Sequence, residues 1–218
     1  MVIYFTADTH FQHANIIKFG RGAGLFNSIN HHDKILRDRW TSIITDEDTV
    51  YVLGDIALGD LTESLLNFSY LPGKKLLVPG NHDRLFSGTN SKTHIAKWKD
   101  AYEEVGFEIL PENTSIFIDT AYGKQEVLLS HFPYQQTAYE NAAKDKFLKN
   151  RPVNTGLPLI HGHTHSLERF NPENPLEFHV GVDANDFTPV HIQEVVTWLE
   201  LLKPSSSIGK SSRSYSSS

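Results

Sequence analysis

The chain of 218 residues contains no cysteine. Without thiols it can form no disulfide, and any bound metal must use nitrogen and oxygen ligands. Long apolar runs are also missing, since no stretch of about 18 apolar residues predicts a membrane span. Lysine and arginine number 20 against 26 aspartates and glutamates, so the formal net charge is -6. This balance argues against extended nucleic acid as a partner, because such binding needs a basic face.

The two ends of the chain predict its location and order. Apolar character at the N-terminus stops at Ala7 without a preceding basic segment, so we expect no signal peptide and a cytoplasmic protein. Residues 204–218 are mostly serine with scattered basic residues, a composition that cannot bury enough apolar surface to fold. We therefore expect one domain over residues 1–203 and a disordered tail over 204–218.

The first half of the chain alternates short apolar runs with helical periodicity. It predicts strands within residues 2–7, 49–55 and 74–83 and helices at 27–44, 61–71 and 91–104. The second half is richer in strand-like runs, with a polar helix predicted at 137–150 and a strand-to-helix segment at 189–202. Together these patterns predict an α/β fold, a sandwich of two sheets with helices outside.

Polar clusters follow the predicted strands, where an α/β sheet gathers its ligands. The five clusters are Asp8-Thr9-His10, Gly54-Asp55, Gly80-Asn81-His82-Asp83, Ser130-His131 and Gly162-His163-Thr164-His165. Side chains two apart on an extended segment point the same way, so Asp8 can pair with His10 and His163 with His165. In three clusters a glycine precedes a candidate ligand, which allows a tight turn and close approach of another backbone.

These clusters contain more metal ligands than one ion needs. Seven residues are candidates: Asp8, His10, Asp55, Asn81, His131, His163 and His165. A catalytic zinc usually takes three protein ligands, whereas two ions about 3.5–4 Å apart that share one carboxylate would use all seven. Because paired ions bind phosphoryl oxygens and polarise a water, the set indicates in-line attack on phosphorus.

The ordered motifs DxH, GD, GNHD, H and GHxH, spread over residues 8–165, resemble the calcineurin-like metallophosphoesterases. The resemblance implies a four-layer α/β/β/α sandwich of two mixed sheets flanked by helices, with a dinuclear metal centre. It implies that Asp8, His10 and His165 hold one metal, that Asn81, His131 and His163 hold the other, and that Asp55 bridges them. His82 would donate to the phosphate and protonate the leaving oxygen, and Asp83 would orient His82 and keep it protonated.

The segments DTHFQHANIIKF and HVGVDANDF further resemble a branch of small bacterial and phage phosphoesterases. Gln12 stands where that branch often has glycine. The resemblance favours a phosphodiesterase on small nucleotides, including 2′,3′-cyclic ones. A nucleotide phosphomonoesterase is the alternative within the class, and a metal-free scaffold on the same fold is the alternative outside it.

Two Mn²⁺ ions are expected, with Fe, Zn or Ni also compatible with these ligands. The oligomeric state stays open.

Three residues near the motifs are candidates for contact with the substrate phosphate. His13 and Asn15 follow the first motif closely, although they could equally cap the next turn. Arg84 follows GNHD and could clamp a phosphate, or it could be an ordinary surface arginine. Arg21, in a glycine-rich loop, is a weaker candidate for the same role.

Several other polar residues have a supporting or a neutral interpretation. His161 alternates with the ligands of its loop, which favours a packed, hydrogen-bonded histidine over a metal ligand. Asp183 ends a strand and could either fix the GHTH loop or be a simple turn aspartate. His31 and His32 open a helix and are expected to be solvated.

Overall fold

The computed structural model describes residues 1–19, 21–22, 24–135 and 146–202. The predicted tail lies outside these residues, as does most of the polar helix predicted at 137–150, whose last three residues form a turn of 3-10 helix. In chain order, the strands and α-helices of the described residues are β1 (Ile3–Thr6), α1 (Ile29–Ile43), β2 (Thr49–Val52), α2 (Leu61–Ser69), β3 (Lys74–Leu77), α3 (Lys92–Glu104), β4 (Phe107–Ile109), β5 (Asn113–Thr120), β6 (Gly123–Ser130), β7 (Leu159–His161), β8 (Phe170–Asn171), β9 (Asn174–His179), β10 (Val190–His191) and α4 (Ile192–Leu201).

The strands form two mixed five-stranded sheets, which confirms the predicted two-sheet α/β fold. The first sheet has the order β10-β1-β2-β3-β4, with β1 to β4 parallel and β10 antiparallel to β1. The second has the order β5-β6-β7-β9-β8, with β6, β7 and β9 parallel and an antiparallel strand at each edge.

The register of the parallel strands brings the polar motifs to one edge. In the first sheet Thr6 pairs with Val52, and Val52 with Leu77, so β1, β2 and β3 end side by side. The motifs that follow these strands therefore meet there. A parallel bridge between Ala7 and Gly181 joins the end of β1 to the segment that follows β9, so loops of the second sheet reach the same place.

Two apolar cores hold these layers together. One lies between the first sheet and α1 to α3, and it includes Leu36, Trp40 and Phe68. The other lies between the two sheets and takes in Trp198 of α4. The helices are divided unequally between the two sheets. Helices α1 to α3 pack on the first sheet, whereas α4 contacts β5 of the second sheet as well as β1 and β10.

Helix α1 corrects one expectation about its first turn. Ser28 caps it by accepting a hydrogen bond from the amide of His31 at 3.2 Å. His32, expected to be solvated, is fully buried, because with Leu36 and Trp40 it lies at i, i+4 and i+8 on the face that packs on the sheet. His31 is half-buried.

Candidate metal centre

Two groups of candidate ligands lie where the loops of the two sheets meet. Cluster one consists of Asp8, His10 and His165, and cluster two consists of Asp55, His131 and His163. In each cluster every residue offers a nitrogen or carboxylate oxygen within 4.8 Å of the others. Asn81 joins cluster two, since its Oδ1 lies 3.0 Å from Nε2 of His131. The clusters are consistent with a dinuclear metal site.

Asp55 lies between the clusters. Its Oδ2 atom is 3.8 Å from Nε2 of His10 in cluster one and 3.4 Å from Nε2 of His131 in cluster two. The carboxylate is almost completely buried, so water does not screen it from either cluster. This is the position that a ligand shared by two ions would occupy.

Several buried atoms of the centre have no hydrogen-bond partner within the described residues. In cluster one they are Oδ1 of Asp8 and both ring nitrogens of His10. In cluster two, Nδ1 of His131 donates to the carbonyl of Leu53 at 2.8 Å, so Nε2 is the ring atom that faces the oxygens of Asn81 and Asp55. Buried polar atoms without a partner are costly, and a bound cation would satisfy those of cluster one and could take the place between the oxygens and nitrogen of cluster two. The residues therefore fit a metal pair.

The electrostatics of the centre also favour positive charge. Burial raises the pKa of Asp8 to about 6. Burial opposes ionisation of Asp55 too, but His131, His10 and His82 outweigh it and hold the pKa of Asp55 well below its usual range. Burial likewise acts to lower the pKa of His131, yet the facing Asp55 raises it to about 9. The pair thus retains a proton that a divalent ion would replace on binding.

The backbone at five of the candidate ligands is left-handed. The φ angles are 58° at Asp8, 48° at His10, 52° at Asp55, 72° at His163 and 50° at His165. The paired ligands therefore converge through left-handed turns and not through the extended segments that the sequence suggested. Non-glycine residues in this region cost about 1–2 kcal/mol each, and such strain clusters at functional sites.

Two glycines allow the loops of the centre to approach closely. A Cβ atom on Gly54 would lie 2.4 Å from the backbone nitrogen of Gly80, so the GD and GNHD loops could not meet. A Cβ atom on Gly162 would lie 2.5 Å from Oδ2 of Asp8, which accepts a hydrogen bond from the amide of His163 at 2.8 Å. Glycine at both positions keeps the ligand loops in contact.

Behind cluster one, a buried ion pair holds His165. Nδ1 of His165 donates to Oδ2 of Asp183 at 2.8 Å, which leaves Nε2 free to bind a metal. Arg21 forms a bidentate pair with the same carboxylate at 2.9 and 2.7 Å and also donates to the carbonyl of Asp8 at 2.8 Å. Asp183 thus fixes the GHTH loop. The same bonds occupy the guanidinium of Arg21, so it is not available to clamp a phosphate.

The same network continues into α1 through residues that the sequence interpretation missed. Nη1 of Arg21 lies 3.3 Å from Nε2 of His32, whose Nδ1 contacts Oδ1 of Asp33 at 2.8 Å. The other oxygen of Asp33 accepts from the amide and side chain of Gln12 at 3.1 and 2.8 Å. Gln12 itself has a φ of 60°, which explains why glycine would suit this position. The sequence does carry one indication that His32 is buried, because His32 has helical spacing with the apolar residues Leu36 and Trp40.

The residues of the GNHD motif differ in their positions. The amide of His82 donates to Oδ1 of Asp55 at 2.8 Å, and its partly exposed ring places Nε2 3.9 Å from Oδ2 of Asp55. Asp83 is buried, and its carboxylate accepts from the amides of Gly80, Asp55 and Ile56 at 2.7, 2.9 and 3.2 Å. Within the described residues no hydrogen bond joins Asp83 to His82. Asp83 thus ties the GD and GNHD loops together, and its role in orienting His82 stays a prediction.

Of the other residues predicted near the centre, some lie beside its ligands and others do not. His13 is half-buried with its ring 5.3 Å from that of His10, and Arg84 is exposed beside a cavity that His82 also lines. Asn15 is exposed, and its carbonyl accepts from the amide of Phe19 in a turn. His161 is buried, and its ring stacks on that of His179 at 5.4 Å, a supporting position.

A two-sheet sandwich that gathers two such clusters at one edge defines a protein of the metallophosphoesterase type. The family model of calcineurin-like phosphoesterases matches residues 1–183, and the chain belongs to that family. This confirms the resemblance drawn from the motifs. Members of the family are typically metal-dependent hydrolases.

Relatives of similar length support the assignment. The gene 66 protein of Mycobacterium phage D29 is 32% identical over 204 residues, covering 91% of this chain and 97% of its own. The gene 66 protein of Mycobacterium phage L5 is 32% identical over 195 residues, covering 83% and 86%. A solved structure of a protein of unknown function from Aquifex aeolicus superposes with a TM-score of 0.56 at 26% identity, covering 90% and 98%. Among the described residues, no helix is long and apolar enough to cross a membrane.

Proposed function

We propose that the protein is a cytoplasmic, dinuclear metal-dependent phosphodiesterase that hydrolyses small nucleotide diesters, including 2′,3′-cyclic ones. The observation that carries the proposal is the buried carboxylate of Asp55 between two ligand clusters, together with the buried atoms of Asp8 and His10 in cluster one that lack hydrogen-bond partners. When bound there, two divalent ions would neutralise phosphoryl oxygens and supply an activated water. Mn²⁺ is the proposed metal, because it prefers carboxylate and carbonyl oxygens such as those of Asp8, Asp55 and Asn81, and the imidazoles of the donor set also suit Fe, Zn or Ni.

His82 is the proposed general acid. Its ring stands at the mouth of the centre, 5.5 Å from the ring of His10, and its side chain is 43% exposed, so a substrate can reach it. Its backbone amide donates to Asp55, and this bond supports the proposal that the imidazole donates a proton to the oxygen that leaves phosphorus. Arg84 borders the same cavity and can bind the charge of the departing group.

The size and charge of the substrate follow from the surroundings of the centre. The net charge of -6 gives no broad basic face for a long polynucleotide. The cavity beside His82 has a volume of about 310 Å³, which suits a small molecule. A small diester, whose anionic phosphate is held by the ions, fits both features better than extended nucleic acid.

The test is Mn²⁺-dependent hydrolysis of bis-p-nitrophenyl phosphate and p-nitrophenyl phosphate by the metal-loaded protein. We expect the diester to be preferred and His82→Ala to lower kcat about 10²- to 10⁴-fold with unchanged metal content. A preference for the monoester would favour a nucleotide phosphomonoesterase instead. No hydrolysis of either compound, with two ions bound, would overturn the proposal and favour a scaffold.

A further inference from the structure

A second cavity, with a volume of about 410 Å³, opens beside cluster one. Its inner wall is formed by His10 and His165, so it is continuous with the centre. Its outer walls are the apolar side chains of Ile16, Phe19 and Leu167. We call it the apolar cavity.

Two of its walls are large apolar side chains in contact with water. Phe19 and Leu167 are each 77% exposed, although they come from loops far apart in the chain. A single exposed apolar residue needs no explanation, but two at the mouth of one cavity that adjoins a metal cluster mark a binding surface.

The charged groups that line the apolar cavity are already paired with one another. The guanidinium of Arg21 is held by Asp183 and by the carbonyls of Asp8 and Thr9. The carboxylate of Asp183 is taken up by Arg21 and His165. Among the described residues of the lining, the guanidinium of Arg21 is therefore not available for a second phosphate, and the apolar outer walls suit an uncharged group.

The cavity beside His82 is different in chemistry. It is lined by Asn81, His82, Arg84 and Asn90, and within the described residues it shares no lining residue with the apolar cavity. The leaving oxygen of a diester has to reach His82, so the leaving group belongs in this polar cavity. In an open-chain diester, whose two ester groups are separate, the second group then lies elsewhere; a 2′,3′-cyclic nucleotide carries both ester oxygens on one ribose, so the inference concerns open-chain diesters.

We propose that the apolar cavity binds the ester group that stays on phosphorus, and that Phe19 and Leu167 select a flat aromatic or apolar group there. This rests on the proposed phosphodiesterase function. Water adds its hydroxyl to phosphorus, the bond to the leaving oxygen breaks with its electron pair, and that oxygen takes the proton of His82, which the attacking water replaces. The retained P–O bond is untouched, so its group stays in the apolar cavity throughout.

The test compares two diesters with the same leaving group. Bis-p-nitrophenyl phosphate retains an aromatic group, and methyl p-nitrophenyl phosphate retains a methyl group, while both release p-nitrophenolate. The double variant Phe19→Ala/Leu167→Ala should lower the aryl-to-methyl ratio of kcat/KM about tenfold relative to the unaltered protein, the effect of losing roughly 60 Å² of apolar contact. The intrinsic reactivities of the two compounds cancel in this comparison.

A binding measurement gives the same answer without turnover. Phenylphosphonate should bind the Mn²⁺-loaded protein about tenfold more tightly than methylphosphonate by calorimetry, and the double variant should lose this difference. Leu201→Ala is the matched control, because Leu201 is 79% exposed but lies at the end of α4. Metal content and Tm of each variant show whether it is folded.

The outcomes separate this inference from the function on which it rests. Hydrolysis of both diesters with a ratio that the double variant leaves unchanged would overturn the role of the apolar cavity and leave the phosphodiesterase intact. An equal loss in Leu201→Ala would also overturn it. No hydrolysis by protein carrying two ions would overturn the proposed function, and the assignment of a retained ester group would fall with it.

Discussion

The two clusters of the centre are supported by different parts of the chain. Behind cluster one, His165 depends on the carboxylate of Asp183, which in turn depends on Arg21. Behind cluster two, Nδ1 of His131 bonds to the main-chain carbonyl of Leu53 at 2.8 Å. Side-chain support can be removed by substitution, whereas main-chain support stays as long as the sheet is folded. Cluster one is therefore the half whose metal affinity should respond to residues outside the ligand set.

Asp55→Asn should have the largest effect, because the carboxylate of Asp55 lies between the two clusters. The amide keeps the shape of the side chain but loses the charge that the ions would share, so we expect at least a roughly 100-fold loss of affinity for each ion and loss of turnover. Metal analysis after gel filtration checks the change, with the Tm showing that the fold persists. Two ions per chain in the variant would show that Asp55 is not shared.

Asp183→Asn should affect metal binding at the two clusters differently. Without the carboxylate, His165 loses its orienting partner and Arg21 loses its counter-charge, so affinity for the ion of cluster one should fall about 10- to 100-fold while cluster two changes little. Stepwise Mn²⁺ titration by calorimetry measures the two sites. The matched control is Asp186→Asn, since that carboxylate is exposed and pairs with Arg39 on the surface. Equal weakening of both sites would contradict the contrast between the clusters.

The two clusters of candidate ligands were predictable from the sequence because chemistry and position coincide. Each candidate ligand stands just after a short apolar run, and parallel strands bring their ends to one edge of a sheet. The type of residue then limits which metal ions can bind, as the imidazole ligands offered by the two histidines of GHTH show. The two-sheet fold was predictable for a similar reason, because short apolar runs separated by turns have few other stable packings.

The support of cluster one was not predictable in the same way. Arg21 and Asp183 are 162 residues apart, and their pairing depends on how the loop before α1 folds against the segment after β9. The sequence gives no pattern for left-handed turns at non-glycine ligands, since these are imposed by the surrounding bonds. The amides that bond to Asp83 were not predictable either, because adjacency to His82 in the chain says little about where a carboxylate points.

Substitutions of Gln12 test how far the support of cluster one extends, and they should have the smallest effect. Gln12→Ala removes the bond from Nε2 to Asp33 but keeps a side chain at a φ of 60°, so we expect a loss of about 1 kcal/mol in the free energy of unfolding. Gln12→Gly removes the same bond and relieves the left-handed strain, so it should be about 1 kcal/mol more stable than the alanine variant. Urea unfolding of the three proteins measures both differences. If glycine proves less stable than alanine, the turn after His10 is not strained, and the network that begins at Gln12 does not set its shape.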